Sequence, residues 1–270
     1  TLEVDGGALT LIGTVDTDIP MDFGPGGGTF TVSGTVENAG RTLGANGPGT
    51  LVLANGTTVR GGTIANTGGA GLVMSGPPSG GSWTLDGVTL ATDLTVPTLA
   101  NLVVINGLTL ADARLTATNT ANFNTRIRFI GTQTLGGTGE VFFADISANS
   151  QFIAEGGTAA VPVVLTIGPD ILVHGSHSGQ FVAATAFDSI LNRGTIRSET
   201  SGATIYIGAM ANEGTIEATA GGAVSLSQGS NSGLLRVAGG TMVIVAPWVN
   251  TGTLEVDGGA LTLIGTVDTD

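Results

Sequence analysis

Three aspartates close together, Asp16, Asp18 and Asp22, form the segment of this chain with the clearest potential for chemistry. Carboxylates in one short segment are hard oxygen ligands of the kind that calcium prefers. The segment has neither the ligand spacing of an EF-hand nor the nonapeptide of calcium-binding β-helices. Two interpretations stay open: a weak calcium site and, as the favoured one, an acidic loop that protrudes from the fold.

The two histidines and one arginine pair are the other candidates. His174 and His177 lie in the segment HGSHSG, whose spacing suits neither a helical zinc pair nor a catalytic triad. Its glycine and serine content predicts a solvated turn rather than a metal or catalytic site. Arg126 and Arg128 alternate along a strand and therefore share one face. We expect them to bridge stacked acidic residues rather than to bind a substrate.

The composition excludes several classes of function. The chain has no cysteine, which excludes disulfides, thiol chemistry and cysteine-based zinc sites. Its 21 acidic residues outnumber 8 arginines, and lysine is absent, so nucleic acid is a poor partner. The acidity favours solubility and repulsion between neighbouring molecules over loose binding of divalent cations. We expect no membrane span in this segment, because no run of about 18 residues is apolar throughout.

The elements that position these residues are expected to be short strands. The sequence combines 46 glycines with frequent valine, isoleucine, leucine and threonine. Strand-forming residues set between glycine turns predict an all-β fold. No stretch shows the 3.6-residue period and the caps of an amphipathic helix.

An exact duplication organises the chain. Residues 1–18, TLEVDGGALTLIGTVDTD, recur without change as residues 253–270. An internal repeat of this kind decides the architecture of a chain. We therefore expect residues 1–252 to be one complete unit and residues 253–270 to be the start of the next identical unit.

A shorter period lies inside the unit. Four asparagines recur at an almost constant spacing, and each is followed by a glycine turn. The asparagines are Asn192, Asn212, Asn231 and Asn250, and the corner glycines are Gly202, Gly222, Gly240 and Gly259. The pattern predicts a single-stranded parallel β-helix, or β-solenoid, with about 20 residues per rung and roughly 12 rungs per unit.

Each repeated position has an expected role. We interpret the asparagines as a ladder of amides that bond along the coil, rather than as a glycan or ligand contact. The glycines permit tight corners. Alternation along the strands predicts one set of inward-facing aliphatic residues: Ile196, Ile205, Ile207, Ile216, Val224, Leu226, Leu235, Met242, Ile244, Leu254, Val256, Leu261 and Leu263.

The turn N-x-G-T-[IL]-x-[VA], followed by a GG-[AT]-[LVM] strand, resembles the repeats of large bacterial surface proteins. The nearest families are autotransporter passengers and filamentous-haemagglutinin-like adhesins. The likeness is clearest over residues 192–270 and 1–75 and only general between them. It implies export to an extracellular or cell-surface location, but it names no receptor, because such coils serve fibres, adhesins and polysaccharide lyases alike.

The sequence favours a structural fibre or surface stalk that is not an enzyme. We expect no caps, no cofactor apart from the calcium candidate, and head-to-tail copies of the unit as partners, linked covalently or stacked as subunits. Lateral contacts are expected at the acidic loop. The first alternative is an adhesin passenger that binds through long loops, and the second is a polysaccharide-active enzyme. Three or more exposed acids with an arginine in one groove would favour the enzyme.

Overall fold

Parallel strands build the whole of this computed structural model, which describes residues 1–16, 20–77, 80–120, 124–144, 150–245 and 247–268. The chain winds into a β-solenoid of about 12 turns, with no helix in the residues just given, which confirms the predicted fold class. Within these residues no helix is long and apolar enough to cross a membrane.

Thirty strands follow one another along the described part of the chain. The first ten are β1 Leu2–Val4, β2 Gly7–Asp16, β3 Met21–Phe23, β4 Gly28–Glu37, β5 Thr42–Leu43, β6 Ala45–Asn46, β7 Thr50–Ala54, β8 Thr58–Arg60, β9 Thr63–Ile64 and β10 Gly71–Ser75. The next ten are β11 Ser82–Leu90, β12 Leu94–Val96, β13 Asn101–Thr118, β14 Thr125–Ile130, β15 Gln133–Ala144, β16 Ser150–Glu155, β17 Val163–Ile167, β18 Ile171–Gly175, β19 Gly179–Ala183 and β20 Asp188–Asn192. The last ten are β21 Thr195–Ser198, β22 Thr204–Asn212, β23 Thr215–Thr219, β24 Ala223–Asn231, β25 Leu234–Ala238, β26 Gly240–Val245, β27 Trp248–Asn250, β28 Thr253–Val256, β29 Gly259–Ile264 and β30 Val267–Asp268.

The strands stack into three faces, and each full turn contributes one segment to each face. The first face runs through β2, β4, β7, β10, β12, β13, β15, β18, β21, β23, β25 and β28. The second face runs through β2, β4, β8, β11, β13, β14, β16, β19, β22, β24, β26 and β29. The third face runs through β5, β9, β11, β13, β15, β17, β20, β22, β24, β27 and β30. Long strands such as β13 pass from one face to the next without a break.

The third face begins with the small sheet β1–β3–β6. Strand β6 follows β5 after Gly44, and both strands hydrogen-bond the segment 63–67 of the next turn. Because β1 pairs with β3 and β3 with β6, residues 2–4 also lie on the third face.

The core is a stack of aliphatic and aromatic side chains inside the coil. Alternate residues of each strand point inward, and the register places each over its equivalent one turn away. Phe30, for example, lies over Leu51, and both are fully buried. Burial of each large apolar side chain contributes about 1.5–3 kcal/mol, so the coil needs no disulfide.

The middle of the coil departs from the regular spacing. Near both ends the paired residues are one regular turn apart, whereas Val141 pairs with Val173, which lies much further along the chain. Here phenylalanines fill the interior: the ring of Phe152 lies 4.6 Å from Phe129 and 5.3 Å from Phe181 between centroids. The core is therefore aromatic where the rungs are longest.

Most of the aliphatic residues predicted to face inward are buried. Those from Ile196 to Ile244 are at most 1% exposed, and Leu254 and Leu261 are partly buried against the core. Val256 and Leu263 differ, with 51% and 45% of their surface exposed. Both stack in register on buried residues of the preceding turn, and their exposure comes from the opposite edge of their own rung.

Candidate functional site

A column of alternating charges runs along the outside of the first face. Arg197 pairs in register with Glu217, Glu217 with Arg236, and Arg236 with Glu255. The Arg197 Nε lies 2.6 Å from Glu217 Oε1, and the Arg236 Nε lies 3.3 Å from Glu255 Oε1. Because outward residues of stacked parallel strands lie side by side, opposite charges at this position hold successive turns together.

A second group of charges on the first face surrounds Arg114, which lies two residues to the side of this column, because Glu140 stacks through Leu172 onto Thr195. The backbone N–H of Arg114 donates to Asp93 Oδ1 at 2.8 Å, and its guanidinium lies 2.6 Å from Glu140 Oε2. The guanidinium also covers the ring of Phe142 at 4.7 Å, which adds a cation–π contact. Arg114 therefore ties three turns of the coil.

His174 joins the Arg114 group to the column, because its strand position is in line with Arg197. Its Nδ1 lies 2.6 Å from Glu199 Oε1 and its Nε2 lies 3.4 Å from Glu140 Oε2. It belongs to β18 and is buried, so the prediction of a solvated turn is wrong for this residue. The prediction failed because glycine and serine neighbours suggested a loop, whereas the histidine is the last outward residue of a strand. His177 lies in the turn that follows, where its Nδ1 is 3.0 Å from Ser176 Oγ.

The electrostatics of the column and of the Arg114 group favour charged carboxylates. The hydrogen bond from Arg114 lowers the pKa of Glu140, partial burial opposes this shift, and His174 adds to it. The hydrogen bond to Glu217 raises the pKa of Arg197. A carboxyl group that acts as a general acid needs a raised pKa. Glu140 is therefore suited to bind a cationic neighbour and poorly suited to donate a proton.

A surface groove adjoins this column. Asp93, Asp112, Arg114 and Glu140 line a space of about 440 Å³. Asp112 has a left-handed backbone, with φ of 56°, and its Oδ1 accepts a hydrogen bond from Thr138 at 2.7 Å. Three acids and an arginine in one groove are the arrangement that would favour an enzyme according to the sequence analysis. Each of these three carboxylates is also held by a hydrogen bond within the protein.

The four asparagines form a continuous ladder at the corner between the third and first faces. The side-chain N–H of Asn192 donates to Asn212 Oδ1 at 2.7 Å, and Asn212 and Asn231 repeat the contact to the next asparagine at 2.6 Å. Each amide also donates to the carbonyl two residues ahead, at 3.2 Å. All four are buried. The ladder therefore satisfies backbone groups that a tight corner leaves without strand partners.

The corner glycines lie between the first and second faces. Gly202 and Gly259 have positive φ, of 83° and 87°, whereas at Gly222 and Gly240 the positive φ falls on the glycine before them. A Cβ on Gly222 would lie 2.5 Å from the backbone of Ser198. Close stacking of turns, in addition to the bend, therefore requires glycine at this corner.

The three aspartates of the calcium candidate have separate places. Asp16 forms an ion pair with Arg41, Asp22 pairs in register with Glu3, and Asp18 lies outside the described residues. In the described ranges no group of three or more histidine, aspartate or glutamate side chains is arranged to hold a metal ion. Calcium binding stays a prediction.

The arginine pair on β14 bridges neighbouring turns. The Arg128 guanidinium lies 2.6 Å from Glu155, which raises the pKa of the arginine, while Arg126 Nε donates to Gln151 at 3.2 Å. Arg128 therefore contacts a stacked acid as expected, and Arg126 contacts an amide instead.

Sequence reasoning missed the charged column, although a signal for it was present. Arg197, Glu217, Arg236 and Glu255 each follow an asparagine of the ladder by five residues. Opposite charges at one position of a regular repeat indicate stacked ion pairs.

Comparison of the chain with protein-family models, curated proteins and solved structures finds no match.

Proposed function

We propose that this chain is a period of a structural solenoid, an extracellular fibre or surface stalk of tandem 252-residue units with no catalytic role. One observation carries the proposal. The identical segments 1–16 and 253–268 are both folded as rungs of the coil, one paired with the turn after it and the other with the turn before it. A sequence that stacks on both sides is suited to join one unit to the next.

The surface chemistry supports a structural role. Seven of the eight arginines form ion pairs with acidic residues about one turn away, among the described residues. The charges of the outer surface are thus used to hold turns together. The excess of acids, with a net charge of −13, would keep neighbouring fibres apart. Copies of the unit, head to tail, are the partners that this proposal requires.

The proposal is tested by the length of tandem chains. We expect chains of one, two and three units to appear as rods by electron microscopy. Each added unit should lengthen the rod by about 54 Å, at about 4.8 Å per turn. Separate globules joined by linkers, with no fixed spacing, would contradict the proposal.

A second candidate is adhesion through the long loops. The loops 156–162 and 184–187 belong to successive turns, and Gly157 N of the first donates to Oδ1 of Asp188, the residue that follows the second, at 2.6 Å. They carry two exposed apolar side chains, Val161 and Phe187. Exposed apolar groups on neighbouring loops are suited to contact a partner surface. Binding of the chain to cells or glycans that is lost on Val161→Ser and Phe187→Ser together would favour this candidate.

The groove at Arg114 supports a third candidate, a polysaccharide-active enzyme. Its three carboxylates could contact sugar hydroxyls, although the lowered pKa of Glu140 is opposite to that of a general acid. Incubation with neutral and acidic polysaccharides tests it. Release of reducing or unsaturated ends by the native chain but not by Arg114→Ala would favour the enzyme over the fibre.

A further inference from the structure

The two identical segments use opposite edges of the same rung. In the first copy, three backbone groups bond to the turn that follows, and they belong to Leu2, Val4 and Gly6. The N–H groups of Leu2 and Gly6 donate to carbonyls within residues 20–27 at 2.8 Å, and the carbonyl of Val4 accepts from that segment at 2.9 Å. These bonds fix one edge of the rung.

The second copy uses a different set of backbone groups toward the turn before it. The N–H groups of Thr253 and Asp257 donate at 2.9 and 2.7 Å, and the carbonyl of Gly258 accepts at 3.0 Å, all with residues 233–239. These positions correspond to positions 1, 5 and 6 of the first copy. None of the six groups is used twice. One rung of this sequence can therefore hold both neighbours at once, as the alternation of a parallel ladder requires.

The side chains of the two neighbours are also compatible. The inner positions of the repeated sequence are Leu2, Val4, Leu9 and Leu11 in the first copy. Their equivalents in the second copy stack on Leu235, Val237, Met242 and Ile244 of the turn before. The same positions in the first copy stack on Met21, Phe23, Phe30 and Val32 of the turn after. All eight neighbours are buried, so a shared rung continues every column of the core and covers the exposed edges of Val256 and Leu263.

The two copies lie on different faces of the coil. Residues 2–4 belong to the third face, and their equivalents 254–256 belong to the first face. From β1 to β28 the chain makes eleven full turns and one further face. The unit therefore does not close after a whole number of turns.

Two other features repeat this displacement by one face. Asn38 lies at the corner between the second and third faces and donates to the carbonyl of Thr63, the first residue of the next strand of the following turn. The ladder asparagines make the equivalent bond at the corner between the third and first faces. Likewise Gly34 and Gly229, inside β4 and β24, both lie against a carbonyl of the preceding turn, but on successive faces.

We propose that residues 234–250 of one unit and residues 21–37 of the next bind opposite edges of one shared rung, so that each unit is turned by one face relative to the last. The partner of each exposed edge is a second copy of this unit. The inference rests on the proposed tandem fibre and adds its register. One unit rises by about 54 Å, and three units return to the same face after 34 turns, about 160 Å along the axis.

This rotation distributes the outer surface of the unit around the fibre. The charged column on the first face, with Arg197 and Arg236 at its end, points in three directions over three units. At the junction, the glutamate of the shared rung has Arg236 on one side and Asp22 on the other. A fibre of this kind presents the same groove and the same loops to all sides.

Cysteine pairs in a two-unit chain, residues 1–252 followed by 1–270, test the register. The native sequence has no cysteine, so each pair reports alone. We expect Val243→Cys of the first unit to form a disulfide with Thr10→Cys of the second. Thr10→Cys should also form one with Thr31→Cys of the same unit. The control pair Glu3→Cys with Thr31→Cys, which would meet only if the units were not rotated, should stay reduced.

The outcomes separate this inference from the proposed function. A rod that forms the Glu3–Thr31 disulfide, or fails to form the Val243–Thr10 disulfide, overturns the shared rung and leaves the fibre intact. Small-angle X-ray scattering that shows two independently moving units overturns both. A rod with both Thr10 disulfides and a reduced control pair supports the rotation.

Discussion

The rungs from residue 192 to residue 256 and those from residue 113 to residue 183 share one fold but are held together differently. In the first region, which we call the regular region, turns of almost constant length stack asparagine on asparagine and charge on charge. In the second, the irregular region, the turns are longer and unequal, and phenylalanines fill the interior. The irregular region also carries His174 and the loop 156–162 near its end.

The difference between the two regions shows which contacts need a constant number of residues per turn. An amide ladder works only when each asparagine lies directly over the next, so any change in turn length must be taken up away from this corner. Apolar stacking is not directional and accepts turns of different length. The corner asparagines and the glycines that lie against the preceding turn are found before and after the irregular region. After it, they are displaced by one face. The irregular region is thus where the coil can gain loops and shift its faces.

The largest effect is expected from the core of the irregular region. Phe152→Ala removes a fully buried ring that contacts Phe129 and Phe181 and should lower the free energy of unfolding by about 3–5 kcal/mol. Urea denaturation followed by circular dichroism measures it. The matched control Phe187→Ala, on an exposed ring, should change stability by less than about 0.5 kcal/mol. Equal losses for both variants would show that aromatic stacking does not hold this region.

The ladder of the regular region comes next. Asn212→Ala leaves a buried acceptor and donor without partners and should cost about 1–3 kcal/mol. Hydrogen exchange should report faster exchange at the neighbouring corners, Glu213 and Ser232, whose N–H groups bond the asparagine carbonyls. Ser230→Ala, on an exposed residue of the same corner segment, is the control. A ladder variant as stable as this control would contradict the structural role of the asparagines.

Two ion pairs of the regular region, each between residues of neighbouring turns, test the effect of burial. Glu217, whose side chain is 8% exposed, binds Arg197, and Glu213, which is 47% exposed, binds Arg193. We expect Glu217→Gln to cost about 1–2 kcal/mol and Glu213→Gln less than about 0.5 kcal/mol. Thermal unfolding of both variants in low and high salt measures the difference. A larger loss of stability for Glu213→Gln than for Glu217→Gln would contradict the expected effect of burial.

The smallest effect is the pH dependence of the irregular region. Because the pKa of Glu140 is lowered in the folded chain, its contribution is present above the ordinary value of 4.5 and is lost as pH falls through the lower folded pKa. Glu140→Gln should therefore be less stable than the native chain by about 0.5 kcal/mol at pH 7, a small value because the pair is partly exposed. Below pH 4.5 the difference should shrink and then vanish as the folded carboxylate is protonated.

The control for this titration removes the cause of the shift. In an Arg114→Gln background, Glu140→Gln should have a much smaller effect at pH 7, measured by the same denaturation curves. A difference that persists unchanged in that background would assign the pH dependence to other groups.

The regular region was largely predictable from sequence and the irregular region was not. Evenly spaced asparagines and glycines reveal the turn length, since identical contacts need identical spacing. The pairing of Val141 with Val173 leaves no such signal, because the strands and loops between these two residues do not repeat at a regular spacing. The position of His174 depends on that pairing, and its contacts with Glu140 and Glu199 could not be derived from their separations of 34 and 25 residues.

The displacement by one face was also hidden in the sequence. The duplicated segments are identical, so nothing in them distinguishes the third face from the first. Only the register of every turn between Leu2 and Leu254 gives the count of faces. The length of the repeated unit and its regular turn predict roughly 12 rungs. The larger turns of the middle reduce the separation of the two copies to eleven turns and one face.

One measurement tests the central claim most directly: a cryo-electron microscopy structure of a three-unit chain in which every turn can be counted. We predict one unbroken coil, with equivalent residues of successive units about 54 Å apart and turned by one face, so that the end of the third unit returns to the orientation of the start after 34 turns. A coil with 12 whole turns per unit would contradict the shared register. Units that do not stack at all would contradict the fibre.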